Sequence, residues 1–354
     1  MQPEAGPDFH FLATGIGSVP FLDSNETCRR ILHACPEMPY WPQLVNRTHL
    51  ENMIIQFSEG LPLLKVQGNT LLLADGPMEE ALVSFYERFL ADDIESFAIS
   101  PDHAPGLYDM TGLIMHSPEK GGFYIKGQTV GPVTFAAAVK NREGKTLFNF
   151  PDLLDACTKG LAARALWQVK ALSKTGKKPV LLLDEPYLTG FGSAFTPVQP
   201  EAVVALIREV IDYVKQRSDA LVGIHCCGNT DWPMITEAGP DIISFDAFSH
   251  MEHFLLFPKE ISRFLEQGGA VAWGIVPTFG FTGSETVEGL FAMLREGLKR
   301  LCGWGLDPEE VAGRSLLTPA CGVGTIEPLA AAKAHEMLLP LSRMCRENLG
   351  AGNP

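Results

Sequence analysis

Short apolar runs alternate along the chain with longer stretches whose apolar positions recur at helical spacing, and the alternation repeats about eight times. The pattern predicts strands over Phe11–Ser18, Tyr40–Val45, Gly122–Val130, Pro179–Asp184, Leu221–Cys227, Ile242–Ala247, Ala270–Val276 and Ser315–Cys321. It predicts helices over Glu26–Cys35, Thr48–Gly60, Met78–Phe97, Pro151–Lys174, Gln199–Ser218, Glu285–Cys302 and Pro328–Glu347. The strands are apolar runs rather than alternating ones, as burial on both faces requires. Repeated β-then-α units of this number predict an α/β fold, a single (β/α)8 TIM barrel with N-terminal and loop insertions. A doubly wound open sheet is the structural competitor. No linker, low-complexity tract or repeat interrupts the text, so residues 1–354 read as one domain with its core over about 11–348.

Composition narrows the class. A chain of 354 residues, 46% hydrophobic and 20% charged, has the make-up of an ordinary globule with a large core. Its net charge of −14, from 28 basic and 42 acidic residues, excludes nucleic acid as a partner. The opening text from Met1 to Asp8 has neither the basic region nor the apolar core of a signal peptide, and no apolar run reaches transmembrane length. The expectation is a cytoplasmic protein with no membrane partner. Eight cysteines are too sparse for a disulfide scaffold. Most, such as Cys157, sit in apolar helical text as small core residues, and Cys227 and Cys321 are the exceptions.

The polar residues that interrupt the apolar strands lie mostly at their C-terminal ends, the catalytic rim of a barrel. They are Ser18, Asp184 and Glu185, His225 and Cys227, Asp246 and Cys321. Each also has an ordinary role open to it: Ser18 as a helix cap, Asp184 as a turn residue before Pro186, Asp246 as a solvated loop acid. Jointly those roles do not explain why such residues recur at one rim beside His-x-Cys. Side chains alternate along a strand, so His225 and Cys227 project to one face and Cys226 to the other.

One imidazole and two thiolates, from His225, Cys227 and Cys321, are a donor set for zinc. The fourth position is left for substrate, water or a displaceable carboxylate such as Asp246. Two thiolates offset the ion's charge, which makes it poor at generating hydroxide and suited to binding a substrate thiol as its thiolate. The chemistry favoured is transfer of an alkyl group to sulfur. It needs no catalytic residue beyond the metal site.

Here the text resembles the C-terminal, catalytic half of cobalamin-independent methionine synthase, within the superfamily that includes uroporphyrinogen decarboxylase-like barrels. Ile16-Gly17-Ser18 is similar to that family's Ile-Gly-Ser, Gly131-Pro132-Val133-Thr134 to its Gly-Pro-Val-Thr, and Asp184-Glu185-Pro186 to its Asp-Glu-Pro. His225-x-Cys227 resembles its zinc His-x-Cys, and Cys321-Gly322 its last zinc Cys-Gly. The resemblance implies that Ile16, Gly17 and Ser18 meet an amino-acid carboxylate and that Asp184 holds its ammonium. It implies homocysteine as the thiol and zinc as the metal.

The departures bear on the methyl donor. Asp246 stands where the family has a ligand Glu, and no clear equivalent of its substrate-binding Glu follows Asn46-Arg47-Thr48. Ala138 stands where the family has a Trp against the folate pterin, so the stacking surface for that ring is missing. The long enzyme's N-terminal half also has no counterpart. His225-Cys226-Cys227-Gly228-Asn229 is similar to the His-x-Cys-Gly-Asn of methylcobamide:thiol methyltransferases. The expectation is a short, single-barrel, zinc-dependent thiol methyltransferase that makes methionine from homocysteine, with methylcobalamin or a methylated corrinoid protein as donor. Methyltetrahydrofolate as donor, coenzyme M as acceptor, and a metal-free uroporphyrinogen decarboxylase-like lyase are the alternatives.

Overall fold

In the computed structural model, which describes residues 7–117, 121–191 and 198–349, the strands are Leu12–Ala13 (β1), Ser18–Val19 (β2), Gln43–Leu44 (β3), Leu64–Gln67 (β4), Thr70–Leu73 (β5), Tyr124–Val130 (β6), Lys178–Asp184 (β7), Leu221–Cys226 (β8), Ile242–Phe245 (β9), Ala270–Val276 (β10) and Ser315–Pro319 (β11). Strands β1 and β6 to β11 form one parallel sheet in the order β1-β11-β10-β9-β8-β7-β6. The first and last strands of this series are neighbours, with Leu12 and Ala13 paired to Leu316 and Leu317.

The free edge of β6 is met by the segment read as the second strand. Tyr40 bridges Lys126 on β6, and a few residues on, β3 pairs with β2, which continues the line of β1. The ring closes through that segment, and the fold is the expected (β/α)8 barrel. Between strands the chain returns through helices such as Pro151–Ser173, Pro200–Lys215, Val287–Gly303 and Pro328–Leu349.

Side chains alternate across each strand and so build two cores. The outer one, between sheet and helices, holds Val222, Ile224 and Cys226 of β8 with Ile243 and Phe245 of β9. The inner one fills the floor of the barrel with Phe9, Leu12, Tyr124, Val180, Leu182, Ile242, Ala272 and Leu316. Above this floor the inward positions turn polar, through Lys126, Gln128, Asp184, His225, Ser244 and Thr318, all buried.

Several stretches differ from the sequence expectation. The strand read as Phe11–Ser18 is two short strands, β1 and β2, with residues 14–17 between them, where Gly15 and Gly17 are gripped by side chains of neighbouring segments. Residues 48–60 are a 3-10 turn at His49–Glu51 followed by turns, not a helix. The Asn52 side chain accepts from the N–H groups of Ile54 and Ile55, which gives the backbone a local alternative to helical bonding. The helix read as Met78–Phe97 stops at Leu90, and Asp92 takes a positive φ of 53° before a 3-10 turn at Ile94–Phe97. The antiparallel hairpin β4–β5 and the helices Pro105–Met115 and Pro132–Ala138 were not anticipated. Among the described residues no helix is long and apolar enough to cross a membrane.

Candidate metal centre

Strand register assembles the site. Asp184 on β7 stands beside His225 on β8, and His225 beside Ser244 on β9. Paired positions of parallel strands project to the same face, here inward. Cys227 follows β8 directly, and Cys321 lies two residues beyond β11 on the same rim. The ligand atoms of His225, Cys227 and Cys321 lie within 4.8 Å of one another, the one such group of three or more His, Cys, Asp or Glu side chains among the described residues.

The state of His225 shows what this group lacks. Its Nδ1 is 2.9 Å from Ser244 Oγ, whereas Nε2 is buried with no hydrogen-bond partner. A buried polar atom left in that state costs about 1–3 kcal/mol. An ion at Nε2 removes the cost and selects the tautomer in which Nδ1–H donates to Ser244, the arrangement that orients a ligating imidazole. Burial holds the ring neutral by lowering its pKa to about 3, so its lone pair is available at any ordinary pH. The residues present therefore fit a soft divalent ion, zinc first.

The two thiols share a proton. The Cys321 thiol donates to the Cys227 sulfur, and this bond chiefly draws the Cys227 pKa down, to about 7. The same bond, reinforced by burial, drives the Cys321 pKa far above its ordinary value. Cys226 faces the other way, buried in the outer core with its thiol toward Gly228 O and Thr189 Oγ1, and its pKa is raised to about 12 by burial. The alternation read from the sequence thus separates two candidate ligands from one packed thiol.

Asp184 has an Oδ1 that is buried and unpartnered, and its carboxyl is pushed well above the usual range by burial, against the pull of Lys126. Asp246 is near enough to Cys227 for its charge to be felt there. Its Oδ1 accepts from Ser249 N at 2.8 Å, capping the helix Ala247–Phe254, and it is not part of the group of three. Glu51, the nearest acid after the second strand segment, is fully buried and bonded to Leu44 N and Arg47 Nε, off the cavity wall. Ala138 ends its helix, also off that wall.

Two of the quoted motifs form one structural unit. The Glu185 carboxylate accepts from Val133 N at 2.9 Å, from Thr134 N at 2.7 Å and from the Thr134 hydroxyl, which caps the helix Pro132–Ala138. A Cβ on Gly131 would lie 2.2 Å from Glu185 Oε1, so only glycine admits the carboxylate there. A second unit joins Ile16-Gly17-Ser18 to Cys321-Gly322. Val323 N donates to Ser18 O, and a Cβ on Gly322 would lie 2.1 Å from Ser18 Oγ.

The site opens into a cavity of about 370 Å³. Its wall includes Ile16, Ser18, Gln43, Asp184, His225, Cys227 and Cys321, together with Asn69 of the β4–β5 turn. Gly17 is not on the wall but packs behind it, against Gln128 and Gln43. Ser244, Gln128 and Lys126 escaped the sequence reading because a polar residue inside an apolar strand gives no sign of which face it takes. The register beside His225 and Asp184 is the signal that finds them.

A (β/α)8 barrel with one imidazole and two thiols converging at its C-terminal rim is the class that fold and site define. No protein-family model and no curated protein matches the chain. Among solved structures, a B12-independent methionine synthase from Shewanella sp. W3-18-1, in complex with selenomethionine, superposes with a TM-score of 0.62 at 16% identity, over 96% of this chain and 98% of that one. That likeness establishes the fold. A GH113 beta-mannanase from Alicyclobacillus acidocaldarius aligns at 10% identity over 98% of this chain and 99% of that one, with a TM-score of 0.41, too low to add to the argument.

Proposed function

We propose that the chain is a single-barrel, zinc-dependent methyltransferase that methylates the sulfur of homocysteine to give methionine. The observation that carries this reading is a buried His225 with its Nε2 unpartnered, grouped within 4.8 Å with two thiols on the wall of a cavity. His225, Cys227 and Cys321 would hold the zinc, with Asp246 as a displaceable fourth ligand. Bound there, zinc supplies Lewis acidity that keeps a substrate thiol deprotonated near neutral pH.

The chain's own residues bind and aim the amino acid. Ser18 and the backbone of Ile16, both on the cavity wall, receive the carboxylate, and the free Oδ1 of Asp184 accepts from the ammonium. The homocysteine sulfur then attacks the donor's methyl carbon, and the new S–C bond forms as the donor's bond to that carbon breaks. Holding the two in line supplies much of the acceleration. The described cavity wall carries Asp184 and no Lys or Arg. That favours a thiol bearing an ammonium over the sulfonate of coenzyme M, and disfavours the polycarboxylate of a porphyrin decarboxylase.

For the donor we favour methylcobalamin or a methylated corrinoid protein, because no Phe, Tyr or Trp lines the described cavity wall and Ala138 stands where the resembled family has its Trp. Methyltetrahydrofolate is the second reading, favoured by the B12-independent description of the structurally similar synthase. The test supplies zinc-loaded protein and homocysteine with methylcobalamin or, separately, methyltetrahydrofolate, and measures methionine. Turnover with methylcobalamin alone supports the corrinoid reading, and turnover with the folate overturns it. No methionine from either donor, nor from a methylated corrinoid protein supplied as a third, with zinc bound, removes the methionine-forming assignment.

A further inference from the structure

From the side chains packed beneath the cavity, we infer that Lys126 is a positioning residue that braces the Ile16–Ser18 segment so that it can receive the carboxylate of the acceptor amino acid. The inference rests on the proposed function and deepens it. Lys126 is 0% exposed inside the barrel, an environment that ordinarily excludes an ammonium group. Its Nζ donates to the carbonyl of Ile16 and, at 3.2 Å, to Gln128 Oε1, and it lies 5.8 Å from the centroid of the Tyr40 ring.

The segment it holds is where strand pairing lapses. β1 ends at Ala13 and β2 begins at Ser18, so residues 14–17 lie outside the named strands. Side chains from two other strand segments grip the gap. Tyr40 presses so close to Gly15 that a Cβ there would lie 2.2 Å from its ring, and Gln128 and Gln43 would meet a Cβ on Gly17 at 2.8 Å. Gln128 is fixed in turn, its Nε2 donating to Trp41 O at 3.0 Å. Within this grip Lys126 supplies the charged donor, and charge-assisted bonds are the stronger ones. Ser18, at the end of the braced segment, is the residue that meets Gly322 beside Cys321.

The test uses Lys126→Met, which keeps the aliphatic length and removes the donors. Protein loaded with cobalt(II) in place of zinc is titrated with L-homocysteine and, separately, with 3-aminopropanethiol, which lacks the carboxylate, while the thiolate-to-cobalt absorption band is followed. The expected result is half-saturation raised about tenfold more for homocysteine than for the aminothiol, whose own smaller loss reports the Asp184 carboxyl freed from Lys126, and an unchanged metal content. Amide hydrogen exchange across residues 12–19 should quicken while that of residues 221–228 holds.

Equal weakening of both thiols, or none, overturns the inference, as does unchanged exchange over residues 12–19. A wild-type protein that binds metal but not homocysteine overturns the methyltransferase reading instead, and the exchange experiment then decides the bracing role alone. If Lys126→Met does not fold, Gly17→Ala displaces the same segment from its other side, and the same split between the two thiols is expected.

Discussion

His225 and Ser244 stand side by side on β8 and β9, and the 2.9 Å contact between Nδ1 and Oγ fixes which ring nitrogen faces the two thiols. Without that contact the imidazole is free to take the other tautomer or to turn in its slot. Ser244→Ala should therefore lower zinc affinity by about tenfold or more, without unfolding the barrel. Competition against a chromophoric chelator measures it, and an unchanged affinity would remove Ser244 from the site.

Cys321→Ser should abolish zinc binding and methyl transfer together, because it takes one of two thiolates from a three-residue donor set. Metal analysis and an activity assay on the same preparation decide the matter. Activity retained without bound metal would sink the mechanism.

Zinc binding should strengthen as pH rises. His225, lowered to about 3, releases no proton in the ordinary range. Of the two hydrogen-bonded thiols, one is eased toward the thiolate by their shared bond and the other is held protonated by that bond and by burial. Binding should thus release between about one and two protons per zinc, fewer as pH rises. Calorimetry in buffers of different ionisation enthalpy counts them; a count near zero at pH 8 would mean that neither thiol is a ligand.

Glu185→Gln should flatten the pH dependence of stability, because the amide fills the same space and cannot ionise. Glu185 accepts from the N–H groups of Val133 and Thr134 and from the Thr134 hydroxyl, and burial outweighs those bonds. Burial raises the Glu185 pKa to about 7, above its value in the unfolded chain. A group raised in this way contributes stability at low pH that is lost as pH climbs through 7. The urea midpoint of the wild type should fall over that interval more steeply than that of Glu185→Gln.

Gly322→Ala should raise the acceptor KM, because the new Cβ would lie 2.1 Å from Ser18 Oγ and push the carboxylate-binding segment aside. Gly303→Ala, where nothing lies within 4 Å of the added carbon, serves as the control. Equal behaviour of the two variants would mean that Ser18 does not touch the substrate.

The barrel was legible in the sequence because buried parallel strands leave apolar runs, and β7, β8 and β10 stand within a residue or so of where those runs place them. His225, Cys227 and Cys321 were legible as a donor set because their chemistry is shared by few alternatives. The helix expected over 48–60 failed because apolar spacing does not register the competing bonds of the Asn52 side chain. The hairpin β4–β5 has its signal in the Gly68-Asn69 turn between two short runs, which apolar spacing alone does not register. Lys126 left no signal of its own: a lysine in a strand reads as solvent-facing until the register turns it inward.

The pairing of β1 with β11 also sets a timetable for synthesis. Leu12 and Ala13 leave the ribosome before the rest of the sheet, and their partners in it are made about 300 residues later. At ordinary elongation rates the first strand waits roughly 15–60 s for a neighbour. His225 and Cys227 emerge about 5–20 s before Cys321. A nascent chain thus offers one imidazole and one thiol to passing metal while its ring is still open. Completion of the group of three and closure of the barrel arrive together, with β11 and the residues just after it.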